Sequence, residues 1–274
     1  WRGDLHVAGQ GLILAAMCVA LVAVVASVSG LNVAQQALAA DLDASQSQLL
    51  WIINGYTLAL AALLMPVGAI GDRWGRKPVL MIGLVAFSLL NLASAFATEP
   101  NVLIALRVLA GASAAMIMPV TLSVITTSFP REDQAKAIGT WAGFAGAGGI
   151  IGLFASAAII DNATWPWVFA LPIALAAVSF VLTTAFVPHS VEHTEAGFDI
   201  AGSLLSALAV GGLVLAFHEG PERGWTDPLT IAALALGGCD WVKGATSGDT
   251  EMKNVEIQPG TASDEMITLD SANG

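Results

Sequence analysis

The chain has 274 residues, of which 56% are hydrophobic and only 11% charged, and its mean hydropathy is +0.75. Soluble domains carry roughly a quarter charged residues, so this composition excludes a surface that faces water throughout. A formal net charge of -11 excludes nucleic acid as a partner, because no Lys/Arg cluster offsets it.

The charged residues are bunched, and the gaps between them have membrane length. A spanning helix needs about 20 apolar residues. The uncharged runs predict spans over 11–35, 49–70, 78–98, 102–128, 137–160, 166–187 and 200–217. An eighth run, Pro228 to Cys239, is about half the required length and reads as a span cut short. The first run lacks a basic flank and is followed by more spans, so it is a transmembrane helix and not a leader. The fold class is therefore an all-α integral membrane protein. The lipid bilayer is its first partner.

Lysine and arginine placement orients the spans. Arg73, Arg76 and Lys77 lie between spans 2 and 3, and Arg131 and Lys136 between spans 4 and 5. The loops after spans 1, 3 and 5 contain neither residue type. The loops from even to odd spans are thus expected in the cytoplasm, together with the N-terminus. Arg223 in the loop Gly220–Asp227 is a minor exception on the outside. Trp51, Trp165, Trp167 and Trp225 fall at predicted span ends, where amphipathic rings favour the headgroup layer.

The organisation expected is a cytoplasmic segment over 1–10 and a six-helix bundle over 11–190. A linker with helix 7 and a truncated helix 8 covers 191–237, and an acidic polar tail covers 238–274. From Gly237 onward Gly, Ser, Thr, Asp and Glu dominate, and such a segment cannot bury enough apolar surface to fold alone. It is expected to be disordered or foreign to the membrane part. The chain begins at Trp1 and not at Met, which suggests a piece of a longer protein.

The most specific local pattern is Gly68-Ala-Ile-Gly71-Asp72-Arg73-Trp74-Gly75-Arg76-Lys77-Pro78, which joins two long spans through about six residues. Gly71 and Gly75 permit close backbone approach and unusual φ values. Asp72 among three cations would stay ionised and lock the hairpin by charge-assisted hydrogen bonds. A positive-inside loop would explain the cations alone, but not the full G-x-x-x-D-R-x-G-R-K order.

This segment resembles the signature loop of the major facilitator superfamily. Leu31-Asn32-Val33-Ala34, the stretch Ala44 to Leu58, Leu106-Arg107-Val108-Leu109-Ala110-Gly111 and Met118-Pro119 resemble its fourteen-helix drug:proton antiporter branch. Phe198 to Gly202 and Glu219-Gly220-Pro221 extend the likeness, which covers about residues 10–237. The resemblance implies the N-terminal six-helix bundle of that fold plus extra central helices. It implies that the loop, with Gly68, Gly71, Asp72, Arg73, Gly75, Arg76 and Lys77, acts as a cytoplasmic gate latch against a second bundle.

Arg107 is the one charge clearly inside a span. Centring an arginine in a bilayer costs about 2.5–3.5 kcal/mol on insertion scales. It must face a cavity or partner, or snorkel to the headgroups. The resemblance favours a cavity-facing role in proton coupling. Asn32, Gln35, Gln36, Asn54 and Tyr56, with Met118, are candidates to line a substrate cavity; helix-to-helix hydrogen bonding explains each polar one singly. Gly148-x-x-x-Gly152 is a small-residue surface for close helix packing.

The chain departs from the branch at three points. Leu153 replaces a proline in span 5, Gln36 replaces one in span 1, and Ser27 to Gly30 occupy the stretch where an acidic residue is usual. Proton coupling then rests on Arg107, on residues outside this chain, or is absent. No metal spacing or nucleophile motif lies in the spans, and His189 and His193 beside Glu192 lack a third ligand, so the chain is read as no enzyme. No cofactor is expected beyond a proton gradient as the energy source. The expected activity is efflux of amphipathic or cationic small molecules across the cell membrane, inactive with one bundle alone. The alternative is a non-transporting membrane module that associates with a C-terminal six-helix bundle or another copy.

Overall fold

A computed structural model of the chain describes residues 2–187 and 200–236, all of them helical, turn or short connection. The acidic tail and the linker histidines fall outside these residues. The elements in order are α1 (Arg2–Val33), α2 (Gln35–Leu42), α3 (Gln46–Trp74), α4 (Arg76–Ala95), α5 (Pro100–Ser128), α6 (Arg131–Asn162), a 3-10 turn (Trp165–Phe169), α7 (Ala170–Phe186) and α8 (Ile200–Arg223). Residues 228–236 form a further helix that returns along α8, with the Phe217 and Trp225 rings edge-on at 5.9 Å.

Among the described residues, six stretches are long and apolar enough to cross a membrane: Gly9–Val33, Gln46–Gly71, Arg76–Ala95, Pro100–Ser128, Arg131–Asn162 and Trp165–Phe186. They match the first six predicted spans. The chain is a multi-pass membrane protein. The seventh, α8, carries an apolar segment over Leu208–Phe217 and continues as helix to Arg223, which shortens the loop expected over Gly220–Asp227.

The segment over 1–10, expected ahead of the first span, is continuous with α1, whose apolar stretch begins at Gly9. Two further boundaries differ from the sequence reading. The helix α6 begins six residues early, because Glu132 and Asp133 suit the positive end of a helix dipole and extend its first turn. Span 1, read as continuous to Gln35, breaks at Ala34 into α1 and α2 with no proline at the break. The short α2 ends at Asp43, whose φ of 48° reverses the chain, and Ser45 opens α3 with a capping box to Gln48.

Helices α1 and α5 are the most buried, with 61% and 56% of their apolar windows inside the bundle, against 17% for α3 and α6. Helix α6 packs along α1 through small residues in step. A methyl group on Gly148 would stand 3.1 Å from Val22 Cα, and one on Gly152 would stand 2.7 Å from Ala26 Cα; Gly30 meets Ser156 one turn further on. The predicted Gly148/Gly152 surface is therefore the α1–α6 seam, where backbones touch. The α3–α5 crossing is equally close, because Gly111 lies directly on the backbone of Tyr56 and Gly55 packs on Val108.

Two apolar clusters fill the bundle. One, around Met17, Leu80, Leu84, Phe87, Ile117 and Ile125, lies toward the signature loop. The other, around Leu31, Leu38, Ile52, Leu103, Trp165 and Phe169, closes the opposite end.

Candidate functional site

Arg107 lies seven residues into α5, about 10 Å along the helix. Its side chain is fully buried, which excludes the snorkelling alternative. Nη1 donates to Ser27 Oγ at 2.9 Å, Nη2 to the Ser27 carbonyl at 3.4 Å, and Nε to the Ile52 carbonyl at 3.4 Å. The guanidinium carbon sits 4.3 Å from the centroid of the Tyr56 ring, a cation–π contact. The Ser27 hydroxyl donates to Asn91 Oδ1 at 3.1 Å, and the Tyr56 hydroxyl donates to the Val24 carbonyl at 3.2 Å.

This network joins α1, α3, α4 and α5 at one level between the two apolar clusters. Its contacts to the guanidinium are neutral: a hydroxyl, two carbonyls and a ring. Such groups offset the loss of water by dipoles, and an ordered set of them holds a buried cation without a counter-charge. The small residue at Gly111 brings Tyr56 close enough to lie over the guanidinium one turn away. Ser27 lies in the stretch where the sequence reading noted a missing acidic residue.

The other predicted cavity residues lie on α1, α2, α3 and α5. Tyr56 belongs to the Arg107 network. Asn32 and Gln36 are exposed near the α1–α2 break, where Asn32 Nδ2 donates to the Val28 carbonyl and Asn32 accepts from Gln35. Asn54 and Met118 are half-buried, and Met118 lies on α5 eleven residues beyond Arg107. Among the described spans, α3 and α6 are the least covered helices.

In the signature loop, Gly75 has φ 96°, a conformation that favours glycine and lets α4 follow α3 with only this residue between them. Gly71 rests against Val120 and Gly68 against Pro119, which seats the loop end of α3 on α5. Arg73 is exposed; the Asp72 side chain lies outside the described residues. Lys77 is buried, and its Nζ donates to the carbonyls of Thr184 (3.0 Å) and Val187 (2.7 Å). It caps the C-terminal end of α7, where a cation also complements the helix dipole.

Sequence reasoning missed Ser27, Asn91 and this role of Lys77. The available signal was a lone asparagine in span 3. A second missed pair lies at the far end of the bundle, where Trp165 Nε1 donates to Asp41 Oδ2 at 2.7 Å.

The comparisons agree with this architecture. The chain is 31% identical over 228 residues to the methylenomycin A resistance protein of Streptomyces coelicolor and covers 83% of this chain and 48% of that protein. It is 33% identical over 231 residues to the methyl viologen resistance protein SmvA of Salmonella typhimurium, covering 83% and 47%. The chain thus spans about half the length of the curated relatives it matches. Among solved structures, a bacterial homologue of the human lysosomal transporter Spinster, inward-facing and unoccupied, superposes with a TM-score of 0.52 at 16% identity, over 84% of this chain and 59% of that one. The human organic anion transporter MFSD10 gives 0.57 at 12% identity, over 76% and 55%. Both share the fold. The family model that matches residues 15–242 completes the case, and the chain belongs to the Major Facilitator Superfamily.

Proposed function

We propose that this chain supplies the N-terminal bundle of an alternating-access exporter of the fourteen-helix branch, which moves amphipathic or cationic small molecules out of the cell in exchange for protons. The observation that carries the reading is the uneven packing of the bundle. Helices α3 and α6 bury only 17% of their apolar windows, and both flank the buried pair α1 and α5. A second bundle facing them would cover those helices and close a substrate site at mid-membrane, as in transporters built from two rocking halves. The matches to drug-resistance relatives about twice as long support the same arrangement.

In this reading the membrane is the cell membrane, and the N-terminus and signature loop face the cytoplasm, as the positions of Arg73, Arg76, Lys77, Arg131 and Lys136 favour. The loop meets the second bundle, and Arg107 holds the helices that line the site. One bundle supplies one wall, so the chain alone does not transport. The test compares liposomes holding this chain with liposomes holding it joined to a C-terminal six-helix bundle of a relative. Methyl viologen should drive proton movement only in the second. Methyl viologen-driven proton flux with this chain by itself would overturn the two-bundle requirement.

A further inference from the structure

At the end of the bundle away from the signature loop, a cleft of about 500 Å³ opens between α2, the end of α6 and the 3-10 turn. Its walls are mostly apolar, from Ala37, Ala40, Ile160 and Pro166, with Thr164 also lining it. Among the described residues, Asp41 is the only charged one that lines it. Pockets that hold drug-sized ligands commonly span about 300–1,000 Å³, with mostly apolar walls and few polar groups.

The carboxylate is placed by the path of α2 and held by one hydrogen bond. The break at Ala34 swings α2 away from α1, Leu38 anchors α2 in the far cluster, and the turn at Asp43 fixes where the helix stops. The indole N–H of buried Trp165 then holds Asp41 Oδ2 at 2.7 Å, while Asp41 itself stays exposed at the cleft. A hydrogen bond to a carboxylate fixes its position and disperses part of its charge. An anion placed at the mouth of an apolar cleft, beside an aromatic residue, suits one class of molecule: a monovalent organic cation with a bulky apolar body.

We infer that this cleft is a binding site for lipophilic monocations, separate from the face between α3 and α6, with Asp41 as the charge partner and Trp165 as a restraint on it. The choice of a cation accords with the export reading above, but the site is defined by its own geometry and needs no transport to be detected.

The test is equilibrium dialysis of tetraphenylphosphonium against the full chain in lipid nanodiscs, with empty nanodiscs subtracted. Triphenylphosphine oxide, similar in shape but uncharged, serves as the control. Asp41→Asn keeps an acceptor for the indole but removes the charge, and should weaken tetraphenylphosphonium binding about fivefold, the scale of one exposed ion pair. Trp165→Phe frees the carboxylate and should tighten it about two- to threefold. The neutral control should bind equally to wild type and Asp41→Asn; because Trp165 also lines the cleft, the Trp165→Phe effect is read as the cation's shift relative to the control's. These opposite shifts separate a charge site from a structural role, in which both substitutions would weaken binding together. Equal binding to wild type and Asp41→Asn, or a shift of both variants in the same direction, overturns the inference. Because binding is read without transport, a failure of the export proposal leaves this result standing, and the reverse also holds.

Discussion

The guanidinium of Arg107 reaches across the bundle to the hydroxyl of Ser27, 2.9 Å away, and ties α5 to α1 at a depth where neither is exposed. Ser27 is at once acceptor from Arg107 and donor to Asn91, so a third helix is held through the same oxygen. Removing that oxygen strands a buried donor. We expect Ser27→Ala to lower stability by about 1.5–3 kcal/mol, the scale of a hydrogen bond to a charged group. Thermal unfolding in detergent, followed by tryptophan fluorescence, reads the loss. An unchanged melting point would show that the arginine has another outlet.

Gly111 and Gly146 offer an internal comparison. A methyl on Gly111 would collide with the backbone of Tyr56, whereas one on Gly146 has nothing within 4 Å. Gly111→Ala should therefore cost about 1–3 kcal/mol or more through overpacking, since a backbone cannot yield as a side chain does. Gly146→Ala should be neutral or slightly stabilising because it raises helix propensity. The yield of monodisperse protein from membranes gives the ranking.

Lys77 carries the prediction for the signature loop. Lys77→Met keeps much of the aliphatic stem but leaves the carbonyls of Thr184 and Val187 without this donor. The expected cost is about 1–3 kcal/mol. It should appear as earlier loss of protection at the end of α7 in hydrogen exchange, with α5 unaffected. A uniform loss across all helices would contradict a local capping role.

Ser45 tests the entry to α3. Its hydroxyl accepts from the Gln48 backbone, and the Gln48 side chain returns to the Ser45 backbone. Ser45→Ala should cost about 1 kcal/mol, and Ser45→Asp should retain most of the capping. Melting points of the two variants decide it.

The spans were legible because charge is expensive in lipid, so the gaps between charged residues mark helices directly. The signature loop was legible because Gly75 needs its φ of 96° and lies between fixed cations. The Arg107 network was only half legible. One arginine in an apolar run announces a buried cation, but Ser27 and Asn91 are 80 and 16 residues away in sequence, and each reads singly as ordinary helix-to-helix polarity. The Asp41–Trp165 bond was not legible, since it joins residues 124 apart and its tryptophan had a sufficient explanation in headgroup anchoring. The break at Ala34 was hidden for a related reason: no proline or glycine marks it, and tertiary packing of Leu31 and Leu38 on either side fixes it.

The level at which Arg107 sits has a mechanical meaning. Helices greased by leucine and alanine can slip past one another by a full turn, 5.4 Å, and still find apolar neighbours. Here such a slip of α5 would carry the guanidinium away from Ser27, Ile52 and Tyr56 together, and would drive a larger side chain against the strand of backbone that Gly111 now clears. Arg107 thus works as a cross-pin, fixing the register of four helices so that any large movement must swing them jointly about their ends.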